Sequence, residues 1–313
     1  MEEILKMKIL ITGGLGHIGS SFIHNVSKDN FERVYIMDNL LTQRFSSLFN
    51  LPKKINYRFI DEDILEADLV SMTKNIDVVL HLAAITDAPS SFKLSKEVEK
   101  VNFEGTRLLA EACIKNNVSL IFPSTTSVYG PQSSIVDESC SELDLNPQSP
   151  YADFKLKSEF MLQEMGDKNG LKFITLRLGT IFGISKGMRF HTAVNKFCRQ
   201  AVMDKPITVW KTAMNQRRPY LGLLDAINIF KFIMDKNLFD NKTYNVVTTN
   251  TTVKNIINII MEKVPKIKIK YVDNEIMNQS SYNVSNNLII EKGFLFKDDL
   301  KKGIFETIDL LKS

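Results

Sequence analysis

The sequence predicts an α/β protein: a doubly wound parallel sheet over residues 1–180, then a smaller C-terminal lobe over 181–313. Three observations carry that reading. Six short apolar runs alternate with helical patterns through the first 180 residues. The first run opens into a glycine-spaced turn and a further helical pattern. After about residue 180 the alternation gives way to helical stretches with short strand candidates between them. Strand and helix alternating in this way build a parallel sheet with helices on both faces.

The runs are Lys8–Thr12, Arg33–Met37, Ile55–Ile60, Asp77–Leu82, Val118–Pro123 and Lys172–Leu178. Most are nearly continuous in apolar residues, as strands buried on both faces are. Ile55–Ile60 mixes polar and apolar residues, so it belongs nearer an edge. Between runs, Val98, Val101, Gly105, Leu108, Leu109 and Ala112 recur at helical steps. In the second half, helices are expected near 188–203, 224–236, 253–263 and 299–312, with strands at Ile207–Val209 and Tyr244–Val246. No Pro/Gly-rich linker separates the halves, so the lobes are expected to join closely, with some chain crossing back to the sheet.

Composition narrows the function classes. Forty basic and 36 acidic residues are mixed along the 313-residue chain, leaving a net charge of +4 with no basic block for nucleic acid. No apolar stretch approaches the ~20 residues that span a bilayer. Met1-Glu2-Glu3-Ile4 lacks the basic start and apolar region of a signal peptide. Met7 would itself be a natural start, making residues 1–6 a short extension. Cys113, Cys140 and Cys198 have no metal-type spacing, and the four histidines form no ligand pattern, so no metal site is expected. The sparse, odd cysteine count fits a reducing cytoplasm.

The glycine turn is Gly13-Gly14-Leu15-Gly16-His17-Ile18-Gly19, placed after the first strand. Gly13 permits the tight turn, Gly16 lets backbone approach a pyrophosphate, and Gly19 lets helix pack on strand. The helix N-terminus then offers free N–H groups and a partial positive charge to the phosphates. The next strand ends at Asp38, followed by Asn39. A carboxylate there accepts hydrogen bonds from adenosine ribose hydroxyls and repels a 2′-phosphate, which favours NAD over NADP. Arg44 lies six residues further on, in a loop. Asp63 and Ile64 follow the third strand, where a carboxylate reaches toward an adenine amino group. Leu82, Ala83 and Ala84 end the fourth strand with small residues that let backbone lie against a cofactor. His81 beside them reads as a packed histidine.

Pro150 suits a first helical position, and Tyr151 and Lys155, four apart, share a helix face. An ammonium near a phenol is expected to lower its pKa from about 10. Tyr151 is then a general base toward an alcohol while hydride leaves the same carbon. Phe122 to Gly130 follows the fifth strand, at the carboxyl end where such sheets bind ligands. Thr125 there is placed to hydrogen-bond the reacting oxygen.

With those residues in hand, the chain resembles the extended short-chain dehydrogenases/reductases, specifically their sugar-nucleotide epimerase/dehydratase group (UDP-glucose 4-epimerase-like). The resemblance implies a Rossmann fold, NAD, and a catalytic triad at Thr125, Tyr151 and Lys155. It implies the helix Asn at Asn102, and a segment from Arg177 to Gly183 in which many members have Asn where this chain has Thr180. In the second lobe Gln216-Arg217-Arg218-Pro219-Tyr220 resembles the segment whose Arg holds the nucleotide diphosphate, giving Arg218, with Asp225 capping the next helix. Gly187-Met188-Arg189-Phe190-His191 makes Arg189 a phosphate or sugar ligand, or a surface salt-bridge former. Thr126 and Asn195 are further substrate candidates, and Trp210 lines the nucleotide pocket or belongs to the core. Dehydratases of the group carry an Asp-Glu pair just after the catalytic Thr, and decarboxylating members a Glu; Thr126-Ser127 stand here. That leaves a nucleotide-diphosphate-sugar 4-epimerase, or a reductase or dehydrogenase of a nucleotide-linked keto sugar. A non-catalytic NAD-binding protein is the reading from another class. Helices near 93–116 and 150–165 resemble those that pair across a two-fold axis, implying a homodimer.

Overall fold

A computed structural model describes residues 6–130, 135–273 and 281–313. Most of the expected extension at 1–6 lies outside the described residues. The strands are β1 (Met7–Thr12), β2 (Phe31–Asp38), β3 (Asn56–Asp61), β4 (Val78–His81), β5 (Ser119–Thr125), β6 (Ile135–Val136) and β7 (Phe173–Leu178). They continue with β8 (Thr180–Phe182), β9 (Ile207–Trp210), β10 (Arg217–Gly222), β11 (Thr243–Val246), β12 (Thr249–Thr252), β13 (Ile269–Val272) and β14 (Asn283–Val284). The helices are α1 (His17–Asn25), α2 (Leu69–Thr73), α3 (Ala88–Ser91), α4 (Ser95–Val98), α5 (Gly105–Asn116) and α6 (Pro150–Asn169). Beyond them come α7 (Ala193–Val202), α8 (Leu223–Lys236), α9 (Val253–Lys263), α10 (Asn287–Glu291) and α11 (Leu300–Lys312).

Seven parallel strands form the central sheet in the order β11-β7-β5-β4-β1-β2-β3. The six expected strands are all present, and β3 stands at the edge its mixed composition implied. The seventh place goes to β11, expected among the strands of the second lobe, which pairs Thr243–Val246 with Thr175–Leu178. The continuous apolar runs follow from burial on both faces. Along β1, Ile9 and Ile11 enter one core and Leu10 the opposite one. Along β4, Val78 and Leu80 share the first core and Val79 the second. Phe22 of α1 and Phe230 of α8 cover the first face; Leu109 of α5 and Leu162 of α6 cover the second. Each fully buried Leu, Ile or Phe contributes about 1.5–3 kcal/mol of transfer free energy. The smaller lobe packs α7, α9 and α11 around β9 and β10 in a core of its own. Among the described residues no helix is long and apolar enough to cross a membrane.

The strand order reverses between β1 and β4. Ligands of such sheets bind in the crevice at the carboxyl ends of the strands flanking that reversal. Thr12 and His81 end these two strands side by side, so the crevice is fixed by topology before any side chain is considered.

Helix α6 is fixed to the sheet by a buried ion pair. Arg177 of β7 gives Glu159 two hydrogen bonds from Nε, at 3.0 and 3.2 Å, and one from its terminal nitrogen at 2.7 Å. Both side chains are buried. Ser124 donates to the same carboxylate, so the charge is well solvated by protein. Removing one partner of such a pair leaves an uncompensated charge, costing about 3–5 kcal/mol. Glu159→Ala is therefore expected to lower unfolding free energy by about that amount in urea titration. A loss below 1 kcal/mol would show that the pair carries no structural weight.

Candidate active site

The glycine turn is tight because backbone must pass backbone. Gly13 has φ +65°, and a Cβ there would lie 2.5 Å from the Ala83 nitrogen. A Cβ on Gly19 would meet Gly14 backbone at 2.6 Å. The turn thus lies directly on the end of β4, with α1 starting at its rim. Thr12, Gly13, Gly16, Asp38, Asn39, Asp63, Ile64, Leu82, Ala83 and Ala84 line a cleft on the β2 side. The Asp38 oxygens accept from Leu15 N at 3.1 Å and Leu40 N at 3.0 Å, which aims the carboxylate into that cleft. Asn39 donates to Asp63 at 2.7 Å. This lining suits an adenosine: a carboxylate at a ribose position, small residues beneath, and no side chain at Gly13 or Gly16 to block a pyrophosphate.

A second cleft of about 290 Å³ continues from the turn to the β5 and β7 ends. His17, Ile18, Thr125, Tyr151, Lys155, Thr180 and Arg189 all line it. The Ser149 hydroxyl accepts from Ala152 N at 3.3 Å and caps α6, with Pro150 beginning the first turn as expected. Tyr151 and Thr125 face the same cleft. Lys155 donates to Pro123 O at 2.8 Å and lies 4.5 Å above the Phe122 ring.

These contacts change the electrostatics inferred from the sequence. Burial pushes the Tyr151 phenol up to about 12, opposed by the Thr125 hydrogen bond and then by the positive charge of Arg189. The expected lowering by Lys155 is replaced, because that ammonium points to Pro123 rather than the phenol. Burial pushes Lys155 down to about 7, against an upward pull from Glu159. Without its cofactor the site therefore holds a protonated phenol.

Beneath the site, His81 accepts at Nδ1 from Thr12 (2.7 Å) and donates from Nε2 to Thr106 (2.9 Å). That tautomer follows from the hydroxyl protons. Thr106 donates its own to Asn102 O at 2.6 Å, so only its lone pairs face His81. Thr12 in turn accepts from Ala83 N at 3.2 Å. The ring is a packed histidine, as expected, and burial with the Lys155 charge pushes it down to about 3.

Several candidates lie elsewhere than expected. Asn102 is buried and lines neither cleft; its amide accepts from Ile85 N at 2.8 Å and donates to Ile85 O at 2.9 Å. Thr126 is buried and donates to Leu178 O at 3.3 Å. Asn195 is buried, donating to Arg189 O at 3.2 Å. Arg218 lies 5.2 Å over the Tyr282 ring and lines neither cleft. Trp210 ends β9, its backbone paired with Val272. Asp225 does not cap α8. It sits inside the first turn, where its oxygens accept from Lys297 N, Asp298 N and Thr248. Thr86, Asp87 and His191 line the cleft without having been foreseen; nothing in their local sequence marked them. Glu159 was legible, standing four residues beyond Lys155 on the same helix face.

A Rossmann-fold crevice with a Tyr–Lys helix at its carboxyl edge defines an NAD-dependent enzyme class. The model of the NAD dependent epimerase/dehydratase family matches residues 9–246, and the chain belongs to that family. A Bacillus subtilis protein described as an uncharacterized UDP-glucose epimerase is 30% identical over 77% of this chain and 76% of its own length. A Dictyostelium discoideum dTDP-D-glucose 4,6-dehydratase is 31% identical over 82% of this chain and 63% of its own. Among solved structures, the UDP-N-acetylglucosamine 4-epimerase of Methanobrevibacter ruminantium superposes with TM-score 0.85 at 25% identity, covering 97% of both chains. The UDP-glucuronic acid 4-epimerase of Bacillus cereus, solved with UDP-glucuronic acid and NAD, gives 0.85 at 25%, covering 98% of this chain and 99% of its own. The cofactor is NAD.

Two pH effects follow. Unfolded lysine holds its proton to about 10.5, while folded Lys155 releases it near 7. Between those values the unfolded state binds more protons, so stability rises with pH. Lys155→Met is expected to flatten that rise by about 1.4 kcal/mol per pH unit in thermal melts from pH 7 to 10. An unchanged slope would refute it. Buried His17 and His81 are both pushed to about 3, from 6.5 when unfolded. Stability should fall as pH drops below 6.5, and His81→Gln should reduce that slope between pH 6.5 and 4.5.

Proposed function

We propose that the protein is a nucleotide-diphosphate-hexose 4-epimerase that keeps its NAD bound through the cycle. One observation carries the reading: Tyr151 and Thr125 line one cleft, and Thr126-Ser127, directly after Thr125, supply no carboxylic acid. Among the described residues Asp87 is the one carboxylate lining that cleft, and Ser90 occupies it at 2.6 Å. Elimination of water needs an acid beside the catalytic Thr, and Thr126-Ser127 supply none. NAD, held at the glycine turn by Gly13, Gly16 and Asp38, would supply the acceptor and donor of the C4 hydride. Thr125 orients the C4 hydroxyl, and Tyr151 Oη takes its proton and later gives it back. Lys155, fixed by Pro123 O beneath the phenol, keeps α6 in register and offers a positive charge near neutral pH. The 4-epimerases among the structural relatives support the same reading.

The raised phenol favours a second reading. A Tyr held protonated is prepared to donate, which suits a reductase of a nucleotide-linked keto sugar. NMR with UDP-, GDP-, dTDP- and CDP-hexoses separates the two. Inversion at C4 without added cofactor is the expected result. Turnover only when NADH and a 4-keto sugar are supplied would establish the reductase instead. Tyr151→Phe is expected to cut turnover by about 10²–10⁴ while bound NAD, read by absorbance of the denatured extract, is retained. Retention of full activity would remove Tyr151 from the mechanism.

The same reading places the protein in the cytoplasm as a homodimer. Its three cysteines are all unpaired. Phe92, Leu94 and Phe160, on or beside the helices of the expected pairing, are each about 40% exposed. Light scattering after gel filtration tests the dimer; cell fractionation tests the compartment.

A further inference from the structure

Two guanidinium groups approach the glycine turn, Arg189 lining the clefts on either side of it and Arg44 on a loop tied to it. Arg189 comes from the smaller lobe, on the segment between β8 and α7. It lines both clefts, and its terminal nitrogen lies 3.6 Å from where a Gly16 Cβ would stand. Gly187, two residues earlier, is set against the turn: it donates to Ser20 at 2.9 Å, and a Cβ there would lie 2.4 Å from Leu15 O. Arg44 comes from the loop after β2. That loop is tied to the same turn, because Ser47 donates to Leu15 O at 2.9 Å and Ser47 N to Arg44 O at 2.9 Å. The sequence put Arg44 in a remote loop; the fold brings it within electrostatic reach of Asp38, Arg189 and His17.

Each arginine keeps a buried nitrogen with no hydrogen-bond partner, Nη1 on Arg44 and Nε on Arg189. A buried guanidinium nitrogen left in this way is costly unless an anion completes it. Asp38, within electrostatic reach, is held by Leu15 N and Leu40 N and hydrogen-bonds neither of these two nitrogens. Arg189 does find one neutral partner, the Thr86 hydroxyl. Two like charges at one helix N-terminus repel, and burial with Arg44 pushes Arg189 down to about 10. A dianion relieves both.

We propose that Arg44 and Arg189 close, one from each lobe, on the pyrophosphate of the dinucleotide, so that the bound cofactor straps the smaller lobe to the glycine turn. Arg189 is thereby a cofactor ligand rather than a sugar or substrate-phosphate ligand. The binding stands whichever reaction the protein performs. Only its consequence, retention of NAD through the cycle, rests on the epimerase reading.

The test uses the full chain stripped of nucleotide, with NADH followed by fluorescence and ADP-ribose, which keeps the pyrophosphate without the nicotinamide, by calorimetry. Arg44→Gln and Arg189→Gln are each expected to weaken both ligands by about 10- to 100-fold and to reduce the salt dependence of binding. If either Gln variant fails to fold, the Lys variant at that position keeps the charge but loses the fork, and about a 3- to 10-fold loss is expected. Unchanged ADP-ribose and NADH affinity in Arg189→Gln would overturn the proposal. Loss confined to NADPH in Arg44→Gln would overturn it at the other end. No sugar is present in the titrations, so they fail or succeed independently of the epimerase reading.

Discussion

The site depends on a neutral imidazole at the point where the strand order reverses. Thr12, His81 and Thr106 form an unbroken chain of hydrogen bonds from β1 through β4 to α5. Every donor in it has one acceptor, and the chain runs on to Ala83 N at one end and Asn102 O at the other. Asn102 then holds Ile85 at both its N–H and its carbonyl. The loop leaving β4 is therefore fixed at residues 83 and 85, and with it the floor under Gly13. A charged imidazole has no lone pair for Thr12 and would break the chain. Burial keeps the ring neutral, so the desolvation that looks like a cost also selects the one protonation state that fits. Satisfied polar networks of this kind fix a unique arrangement where apolar packing alone permits several.

A second constraint sets the catalytic helix against that floor. Tyr151, Lys155 and Glu159 stand at four-residue steps along one face of α6. Two of them reach consecutive residues at the end of β5, Glu159 met by Ser124 and Lys155 by Pro123 O, while Tyr151 faces the cleft beside Thr125. Helix and strand are thus laced together at two points, with Arg177 anchoring the Glu159 end. Rotation of α6 by a fraction of a turn would break both at once. Glu159 and Arg177, which line neither cleft, thus help to position the helix that carries Tyr151.

What could be read from the sequence divides along physical lines. The six parallel strands, the glycine turn, Asp38 and the Tyr–Lys helix were legible because each rests on local spacing or on one strand's burial. The contacts that required tertiary knowledge were not. Asn102 and Asn195 have the chemistry of ligands and the burial of struts; composition cannot tell a side chain facing a cleft from one saturated by a neighbouring backbone. The expected effect of Lys155 on the phenol failed for the same reason, since helical spacing gives a shared face but not the carbonyl that captures the ammonium. Tyr244–Val246 was read as a strand of the second half, where some chain was expected to cross back to the sheet; three residues carry too little pattern to show that this strand is the one that does. Asp225 was read as a cap from the resemblance, whereas the helix starts two residues earlier and the carboxylate gathers two loops, at Thr248 and at Lys297–Asp298.

At the glycine turn the two halves of the chain meet through polar side chains. The segment from Gly183 to Asn195 carries Ser185, which pairs with His17 at 2.7 Å, and Asn195, which holds Arg189 O at 3.2 Å. It returns Arg189 to the turn itself. His17 is the hinge of this arrangement: it belongs to the first helical turn of the sheet domain, yet its ring nitrogens face partners from the other lobe. Any anion seated at the start of α1 is then in contact with both lobes at once. An enzyme that must hold one cofactor while substrates come and go gains from such an arrangement, because opening the sugar side does not by itself release the strap on the pyrophosphate side. The short loop between β8 and α7, unremarkable in composition, is in this sense the element that joins binding of the dinucleotide to the shape of the substrate cleft.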